Sequence, residues 1–563
     1  MRRLPGILLL TVATLIVIVA LLVSGLRLVL PQLDAWRPQL LEKISALTGT
    51  PVDASQIAAS WQTFGPTLDV RDIHVGLKDG GTMAVKRVTL ALDVWQSLLH
   101  MRWQFRDLTF WQLQVHTNTP IQTNDGGESL KTDRISDLFL RQFDHFTLRD
   151  SHLSFLTISG QRAELAVPQL TWLNGRNRHR AEGQLSLSSL TGQHGVMQVR
   201  MDLRDEDGLL NKGRVWLQAD DIDVKPWLGR WMQDNIALKS ARFSLEGWMT
   251  IEKGDVASGD VWLKKGGASW QGDSEVHHLS VDNLTAHLSH DKQSWGFYIP
   301  DTRIAIDDKP WPSGALAMAW IPGQDVGGDG HQRSDELRIR ASNLALSGLS
   351  GLQPFADKLA PSLGELWRTT QPSGKINLLA LDIPLQATEK TRFQAQWSDL
   401  AWKQWKLLPG AEHFSGSLNG SVEHGELRAR MTKAQMPYAG VFRAPLEIAA
   451  GEATLSWVKN DKGFMLDGRD IGVQATGVRA RGGFRYLQPQ GDDPWLGILA
   501  GISTNDGGQA WRYFPENLMG KALVDYLSGA IKAGQARDAT LVYGGNPHLF
   551  PYPHNEGQFQ VYV

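Results

Sequence analysis

Residues 197–204 read Met197-Gln198-Val199-Arg200-Met201-Asp202-Leu203-Arg204, four apolar residues alternating with four polar ones. A period of two is that of a β-strand with one face against something apolar and the other in water. The pattern recurs along the chain. Phe243, Leu245, Gly247, Met249 and Ile251 alternate with Arg242, Ser244, Glu246, Trp248, Thr250 and Glu252. Val88, Leu90, Leu92 and Val94 form a similar set, as do Leu337, Ile339 and Ala341, and Leu427, Ala429 and Met431 face away from Arg428 and Arg430. Turn signals separate such runs: Asp79-Gly80-Gly81, Lys253-Gly254-Asp255, Gly272-Asp273, Asn419-Gly420 and Asn505-Asp506-Gly507-Gly508. About 25 to 35 strands of this kind are expected, mostly antiparallel.

Helical patterns are few. Phe355 to Leu366 is one, and Pro515 to Ala533 another, with Leu518, Leu523, Leu527 and Ile531 as its stripe. A one-faced sheet must bury its apolar side against a second sheet, a layer of helices or an apolar ligand. Helices being too few, three arrangements remain: stacked sandwiches, a closed barrel, or a curved sheet whose inner face holds something greasy.

The amino terminus differs. Leu4 to Leu26 carries no charge and as a helix spans about 35 Å, enough to cross a bilayer. Arg2 and Arg3 before it favour a cytoplasmic amino end. A cleaved signal, with Val23-Ser24-Gly25 as its small-residue site, is the rival, but the apolar run exceeds a signal core and resumes at Leu28-Val29-Leu30. Residues 1–30 are therefore read as a transmembrane signal anchor, with the body across the membrane from the cytoplasm. Residues 31–49 follow as an amphipathic juxtamembrane helix, with Leu40, Leu41, Ile44 and Leu47 on one stripe, Trp36 and Arg37 suited to headgroups, and Gly49 as a stop. The β body takes residues 50–505, and a helix plus β segment residues 506–563.

Composition narrows the function. The chain has 563 residues and a net charge of −2, against a sequence-independent nucleic-acid binder. Without a cysteine, disulfides, thiolate metal sites and cysteine nucleophiles are excluded. Tryptophans number 22 against 8 tyrosines, large apolar bodies with one polar handle each. No nucleophile elbow, phosphate-cradling loop or zinc-binding helix motif is present. His277 and His278 are adjacent and on a strand point to opposite faces. Asp325, Asp329 and His331 read as a solvated turn, and the pairs Asp220-Asp221, Asp307-Asp308 and Asp492-Asp493 as strand ends. Thr119 to Asp133, Gln324 to Asp335 and Gln488 to Pro494 read as polar loops. No enzyme, metal site or cofactor is expected.

A weak repeat is present. Ala91 to Leu99 reads as a strand running into a short helix, and Asp221 to Leu228 repeats the design, with Asp223 as cap and Pro226 in the first turn. Asn343-Leu344-Ala345-Leu346 is a fainter third copy.

Several blocks carry a family likeness. The anchor is followed by Leu40 to Thr48, then by Ser60-Trp61 and Gly65-Pro66-Thr67-Leu68. Val94-Trp95-Gln96-Ser97-Leu98-Leu99 continues into Trp103 to Trp111. Late in the chain, Trp511-Arg512-Tyr513-Phe514-Pro515 leads through Leu523 to Leu527 to Phe550-Pro551-Tyr552 and Gly557-Gln558-Phe559. In this order of features the chain resembles the AsmA-like proteins of the Gram-negative envelope.

The resemblance implies an elongated, twisted antiparallel sheet forming a hydrophobic groove, through which phospholipid passes from the inner to the outer membrane without a cofactor. It implies phospholipids and both membranes as partners, with inner-membrane proteins as further candidates. Members of the family are longer, and this chain stops at Gln558 to Val563 inside an apparent strand, so the expectation is the amino-terminal portion of a bridge. Candidate groove lining is Val88, Leu90, Val199, Met201, Phe243, Leu245, Met249, Leu337 and Ile339. Arg176, Arg178 and Arg180, in a basic cluster, are candidates for headgroup contact. The competing expectation is an envelope scaffold or regulatory binding protein, with the same residues in a closed sandwich core and a protein or polysaccharide as partner.

Overall fold

The structure is a computed structural model. It describes residues 4–48, 50–62, 65–76, 81–100, 104–120, 138–156, 162–188, 195–206, 208–225, 238–272, 275–291, 294–323, 335–354, 357, 361–406 and 408–563. The chain divides into two compact units, residues 1–269 and 270–563.

The first unit opens with α1 (Leu4–Val29), a 3-10 segment (Leu30–Trp36) and α2 (Arg37–Thr48). Hydrogen bonds fasten these to the sheet: Ile57 N–H donates to the Asp34 carboxylate at 2.9 Å, the Arg37 guanidinium to the Ser55 carbonyl, and Val52 N–H to the Ser45 hydroxyl at 2.9 Å. The residues expected to form one juxtamembrane helix thus start as a 3-10 segment, with Pro31 in its first turn. The strands are β1 (Val52–Asp53), β2 (Gln56–Gln62), β3 (Gly65–Gly76), β4 (Thr82–Leu92), β5 (Phe105–Pro120), β6 (His145–Leu156), β7 (Arg162–Asn174), β8 (Arg178–Ser188), β9 (Gly195–Arg204), β10 (Lys212–Asp223), β11 (Leu238–Glu252) and β12 (Asp255–Gln271).

From β2 to β11 each strand pairs with the next, and β1 lies beside β2 on β3. All pairs are antiparallel except β5–β6, which is parallel and requires a crossover. A short helical turn, Leu138–Gln142, ends that crossover. Side chains join β12 to β11: the Ser240 and Ser269 hydroxyls meet at 2.6 Å, and Lys264 pairs with Glu246 at 2.9 Å.

In the second unit the strands are β13 (Val276–Asp291), β14 (Ser294–Ile299), β15 (Ile304–Ile306), β16 (Lys309–Pro310), β17 (Leu316–Ile321), β18 (Glu336–Ala345), β19 (Ser373–Pro384), β20 (Arg392–Trp402), β21 (Ala411–Ser421), β22 (His424–Met436), β23 (Leu446–Asn460), β24 (Gly463–Ala475), β25 (Val478–Pro489), β26 (Trp495–Thr504), β27 (Ala536–Gly545) and β28 (Gln558–Tyr562). All pairings here are antiparallel; β13 is shared between β14 and β15, and from β17 each strand pairs with its successor. Among the described residues, no late strand in either unit pairs back with an early one. Neither sheet closes, so the barrel is excluded. The chain is mainly β, with one long apolar helix and a few short helices.

Some local expectations are corrected. β4 ends at Leu92, and Val94 starts the short helix α3 (Val94–His100) instead of extending the strand face. Asn419 and Gly420 lie within β21, the turn falling at Val422-Glu423, because Gly420 takes a left-handed φ of 141° inside the ladder. Asp220 and Asp221 form a bulge within β10, not its end. The helix read over 355–366 is α4 (Pro361–Thr370), four residues later at its end. Gly520, at φ 80°, splits the helix read over 515–533 into a turn, Glu516–Met519, and α5 (Lys521–Ala530). The buried residue of α5 is Val524, while Leu523 is exposed. Arg2, Arg3, Gly49, Asp79, Gly80, Trp103, Pro226 to Leu228, Asp273, Asp325, Asp329 and His331, with most of the loops read over 119–133 and 324–335, lie outside the described residues.

Candidate functional site

Cross-strand partners in a ladder share a face, so the register shows how the apolar side chains line up from strand to strand. In the first unit one row runs Ile57, Val70, Val88, Phe110, Leu148, Leu170, Gly183, Val199, Leu217 and Gly247, one residue from every strand between β2 and β11. No polar residue interrupts it. At about 4.8 Å per strand the row is about 43 Å long. In the second unit a longer row runs Ile299, Leu316, Ala341, Leu379, Ala395, Leu418, Leu427, Leu455, Gly468, Phe484, Ile498, Tyr543 and Phe559, about 58 Å by the same spacing. Its only polar atom is a phenol oxygen, and burial pushes the Tyr543 pKa up, so that group stays neutral.

Bulges preserve this arrangement. Between Ala219 and Ile222 β10 absorbs one extra residue, Asp220 and Asp221 standing against Ser244 alone, and Ile222 still meets Phe243 as Ala219 meets Leu245. A slip of one residue would have turned Phe243 to the polar side.

The nine candidate lining residues all lie on these faces. Val88 is buried in a cluster with Val85, Phe105, Leu108, Phe110, Phe146, Leu148 and Val167, and Leu90 packs at its margin. Val199 faces Leu217, and Met201 faces Val215, whose other neighbour is Met249. Leu245 packs against Met197, Ala219 and Ile222. Leu337 and Ile339 face Trp320 and Met318 on one side, Ile383 and Leu381 on the other. Apart from Val88, the nine are only half-buried. The rows likewise stay half-open over much of their length: Leu217, Leu379, Leu418, Leu427, Leu455 and Ile498 are all partly accessible. A dry sandwich core would have buried them under a second layer.

Two features of the face were not read from the sequence. Large rings lie over glycines on the neighbouring strand: a Cβ on Gly468 would come within 2.3 Å of the Phe484 ring. Such glycines flatten the face, and their only signal in the sequence is a glycine at an apolar-parity position. The second feature is a cover. Phe139 and Phe143, from the crossover turn, sit on the face between β5 and β6, with Phe139 at 5.3 Å from both Phe110 and Phe146 and Phe143 at 5.3 Å from Phe105. Trp172 stacks on Phe146 at 5.8 Å beyond them.

The opposite face is polar and self-paired. Arg87 bonds Asp69 at 2.7 Å, Arg200 Glu182 at 2.9 Å, Arg340 Asp382 at 2.6 Å and Arg485 Asp467 at 2.6 Å. Arg178 belongs here as well. It pairs with Asp202, whose carboxyl it holds below the usual range by that hydrogen bond. Arg180 shares this face, opposite Asp202, and Arg176 is exposed in the β7–β8 turn. Arg178 and Arg180 therefore point away from the apolar row.

A polar hollow of about 600 Å³ lies between β13 and the β15–β16 turn. There His277 Nδ1 is 2.8 Å from Asp307, whose other oxygen accepts from His278 N–H at 2.9 Å. These bonds hold the turn, where Asp307 and Asp308 both take positive φ. Among the described residues, no three His, Asp or Glu side chains gather as a metal would require.

A family model described as YhdP protein matches residues 1–563. The intermembrane phospholipid transporter YhdP of Escherichia coli (strain K12) is 74% identical over 563 residues, which is 100% of this chain and 44% of that protein. The chain thus spans less than half the length of that curated relative. No solved structure matches. With its whole length matched by the family model, the chain belongs to the YhdP family.

Proposed function

We propose that this chain carries phospholipid between the inner and outer membranes across the periplasm, its acyl chains lying along the apolar face of the sheet. The single observation behind the reading is the unbroken apolar row in each unit, partly accessible from Leu170 to Leu217 in the first and along most of its length in the second, with one residue from each strand it crosses. The name of the 74% identical relative supports the same substrate. Each methylene kept out of water is worth about 0.8 kcal/mol, so two acyl chains gain strongly from such a face while the headgroup stays wet at its edge. The lining is chemically alike from strand to strand. A lipid displaced by one strand exchanges similar contacts, so no position is a deep trap and sliding is unhindered.

In this reading α1 anchors the chain in the inner membrane, its amino end cytoplasmic and its body periplasmic. It is the one helix among the described residues long and apolar enough to cross. Residues 31–49 lie at the membrane surface, residues 50–505 form the groove, and residues 506–563 continue it. The Escherichia coli relative is named as a transporter, and no catalytic role is assigned to any residue here. A closed-core scaffold is disfavoured, since among the described residues no second sheet covers the half-buried stretches of the rows.

The test is photo-crosslinking of the full chain in the inner membrane of cells labelled with radioactive phosphate. A photoreactive residue at Val199 or Leu418 should capture phospholipid, and one at Arg200 or Asn419, on the other face, should not. Equal capture from both faces, or none from either, overturns the reading.

A further inference from the structure

α3 (Val94–His100) leaves the end of β4 with three large apolar side chains uncovered. Asp93 starts it, its carboxylate accepting from Gln96 N–H at 3.0 Å. Ser97 turns inward: its hydroxyl donates to the Asp93 carbonyl at 2.6 Å and accepts from Gln104 N–H at 2.9 Å. At about 100° per residue, Trp95, Leu98 and Leu99 then fall on the side away from the sheet. They are 61%, 62% and 76% exposed, and no residue of the helix is buried. The helix has no acidic residue.

We propose that α3 is a second membrane contact, its Trp95, Leu98 and Leu99 face dipping into the leaflet on the side of the membrane where α1 emerges. The proposal rests on α1 being a membrane span. Position argues for a bilayer as the occupant. The 3-10 segment after α1 packs along β2, β2 pairs with β3, and β3 pairs with β4. Gly65, at the start of β3, lies against the Leu92 carbonyl and the Val94 side chain, where α3 begins. The helix therefore starts only two strand spacings, about 10 Å, from the strand to which the anchor is tied.

Size argues the same way. Three side chains fall well short of the about 800 Å² per partner that a stable protein interface buries. Beside a tethered bilayer a small apolar contact suffices, because the anchor already fixes the membrane within reach. Trp95 is suited to the headgroup boundary, and Leu98 and Leu99 to the acyl region. Docked in this way, α3 brings the end of β4 to the leaflet. Leu92, Leu90 and Val88 become the first apolar side chains that a departing acyl chain meets.

The chain has no cysteine, so one introduced at a time carries a nitroxide without background. The full chain is placed in vesicles of phosphatidylethanolamine and phosphatidylglycerol. Collision rates with oxygen, which concentrates in the bilayer, and with a water-soluble nickel chelate are compared for labels at Leu15, Gln96, Leu98 and Trp95. The expected result is a deep label at Leu15, immersed labels at Leu98 and Trp95 with oxygen accessibility several-fold above that at Gln96, and a wet label at Gln96. A deep Leu15 with Leu98 and Trp95 as wet as Gln96 overturns the proposal alone. A wet Leu15 overturns the anchor and the proposal together. Immersed labels at Leu98 and Trp95 in a chain that captures no phospholipid at Leu418 uphold the docking and sink the groove.

Discussion

The indole of Trp457 lies over Gly425, its partner on the next strand, so closely that a Cβ at residue 425 would stand 2.3 Å from the ring. The Trp457 N–H donates to the Ser421 carbonyl at 3.1 Å, and Phe393 stacks alongside at 6.2 Å, so the ring has little room to yield. Trp457 continues an apolar row, from Met318 through Ile339, Leu381, Phe393, Gly420 and Gly425, and on to Leu466, Tyr486 and Leu496. Flat packing of ring on glycine is what keeps the face smooth at this point.

Gly425→Val should therefore push the indole off its seat and cost about 1–3 kcal/mol, the usual range for overpacking. Calorimetry of the full chain should show a lower melting temperature for the second unit. An unchanged melting temperature would mean that the ring moves freely, against the packing described here.

A second prediction separates the two faces by one residue. Leu418 lies on the apolar row and Asn419, its neighbour, on the other side. Leu418→Asp places a carboxylate where acyl chains are proposed to pass, and an unpaired charge against hydrocarbon is costly. Phospholipid capture by a photoreactive residue at Leu455, two strands on, should fall by about tenfold or more, about 1.4 kcal/mol per factor of ten. Asn419→Asp should leave it unchanged. Equal losses in both variants would point to general damage and remove the groove as the explanation.

The period-two runs around Met201, Leu245 and Leu427 were sufficient to read strands, their faces and the lack of long helices, because alternation reports local backbone geometry directly. Whether the apolar face met a second sheet or a ligand was not legible, since a half-buried leucine and a buried one read alike. Parallel pairing of β5 with β6 was invisible for the same reason: alternation has no direction. That Arg178 pairs with Asp202 was not legible either, because sequence spacing hides a partner that arrives from β9. Phe139 and Phe143 follow a polar stretch and carry no periodic signal, so only the fold reveals that they cover Phe110 and Phe146.

On the polar face, Arg485 donates to Asp467 at 2.6 and 3.0 Å, and this bonding holds the carboxyl below its ordinary range. A depressed carboxyl contributes stability that is complete above its unfolded value and lost as pH falls through the folded one. The contribution should thus be full at neutral pH and fade only in acid below the ordinary carboxylate range. Asp467→Asn removes it. The melting-temperature difference between the parent and this variant should be greatest near neutrality and vanish in strong acid. A difference that persists there would assign the effect to lost packing instead of charge.

Phe139 shows how the protein treats the apolar face where its own chain covers it. Its ring sits among Phe110, Phe143 and Phe146, in the place that an acyl chain would take on an open stretch. Phe139→Ala should destabilise the first unit by about 3 kcal/mol, the lower end for such truncations, because the ring is half-buried. The vacated space is lined by hydrocarbon and open to lipid. Anything that binds the folded state alone raises its stability, so short-chain phospholipid below its micelle concentration should raise the melting temperature of the variant more than that of the parent. Were both to respond equally, the gap would be closing by collapse of Phe143 and Phe146, and the covered stretch would be core and not an occupied length of groove.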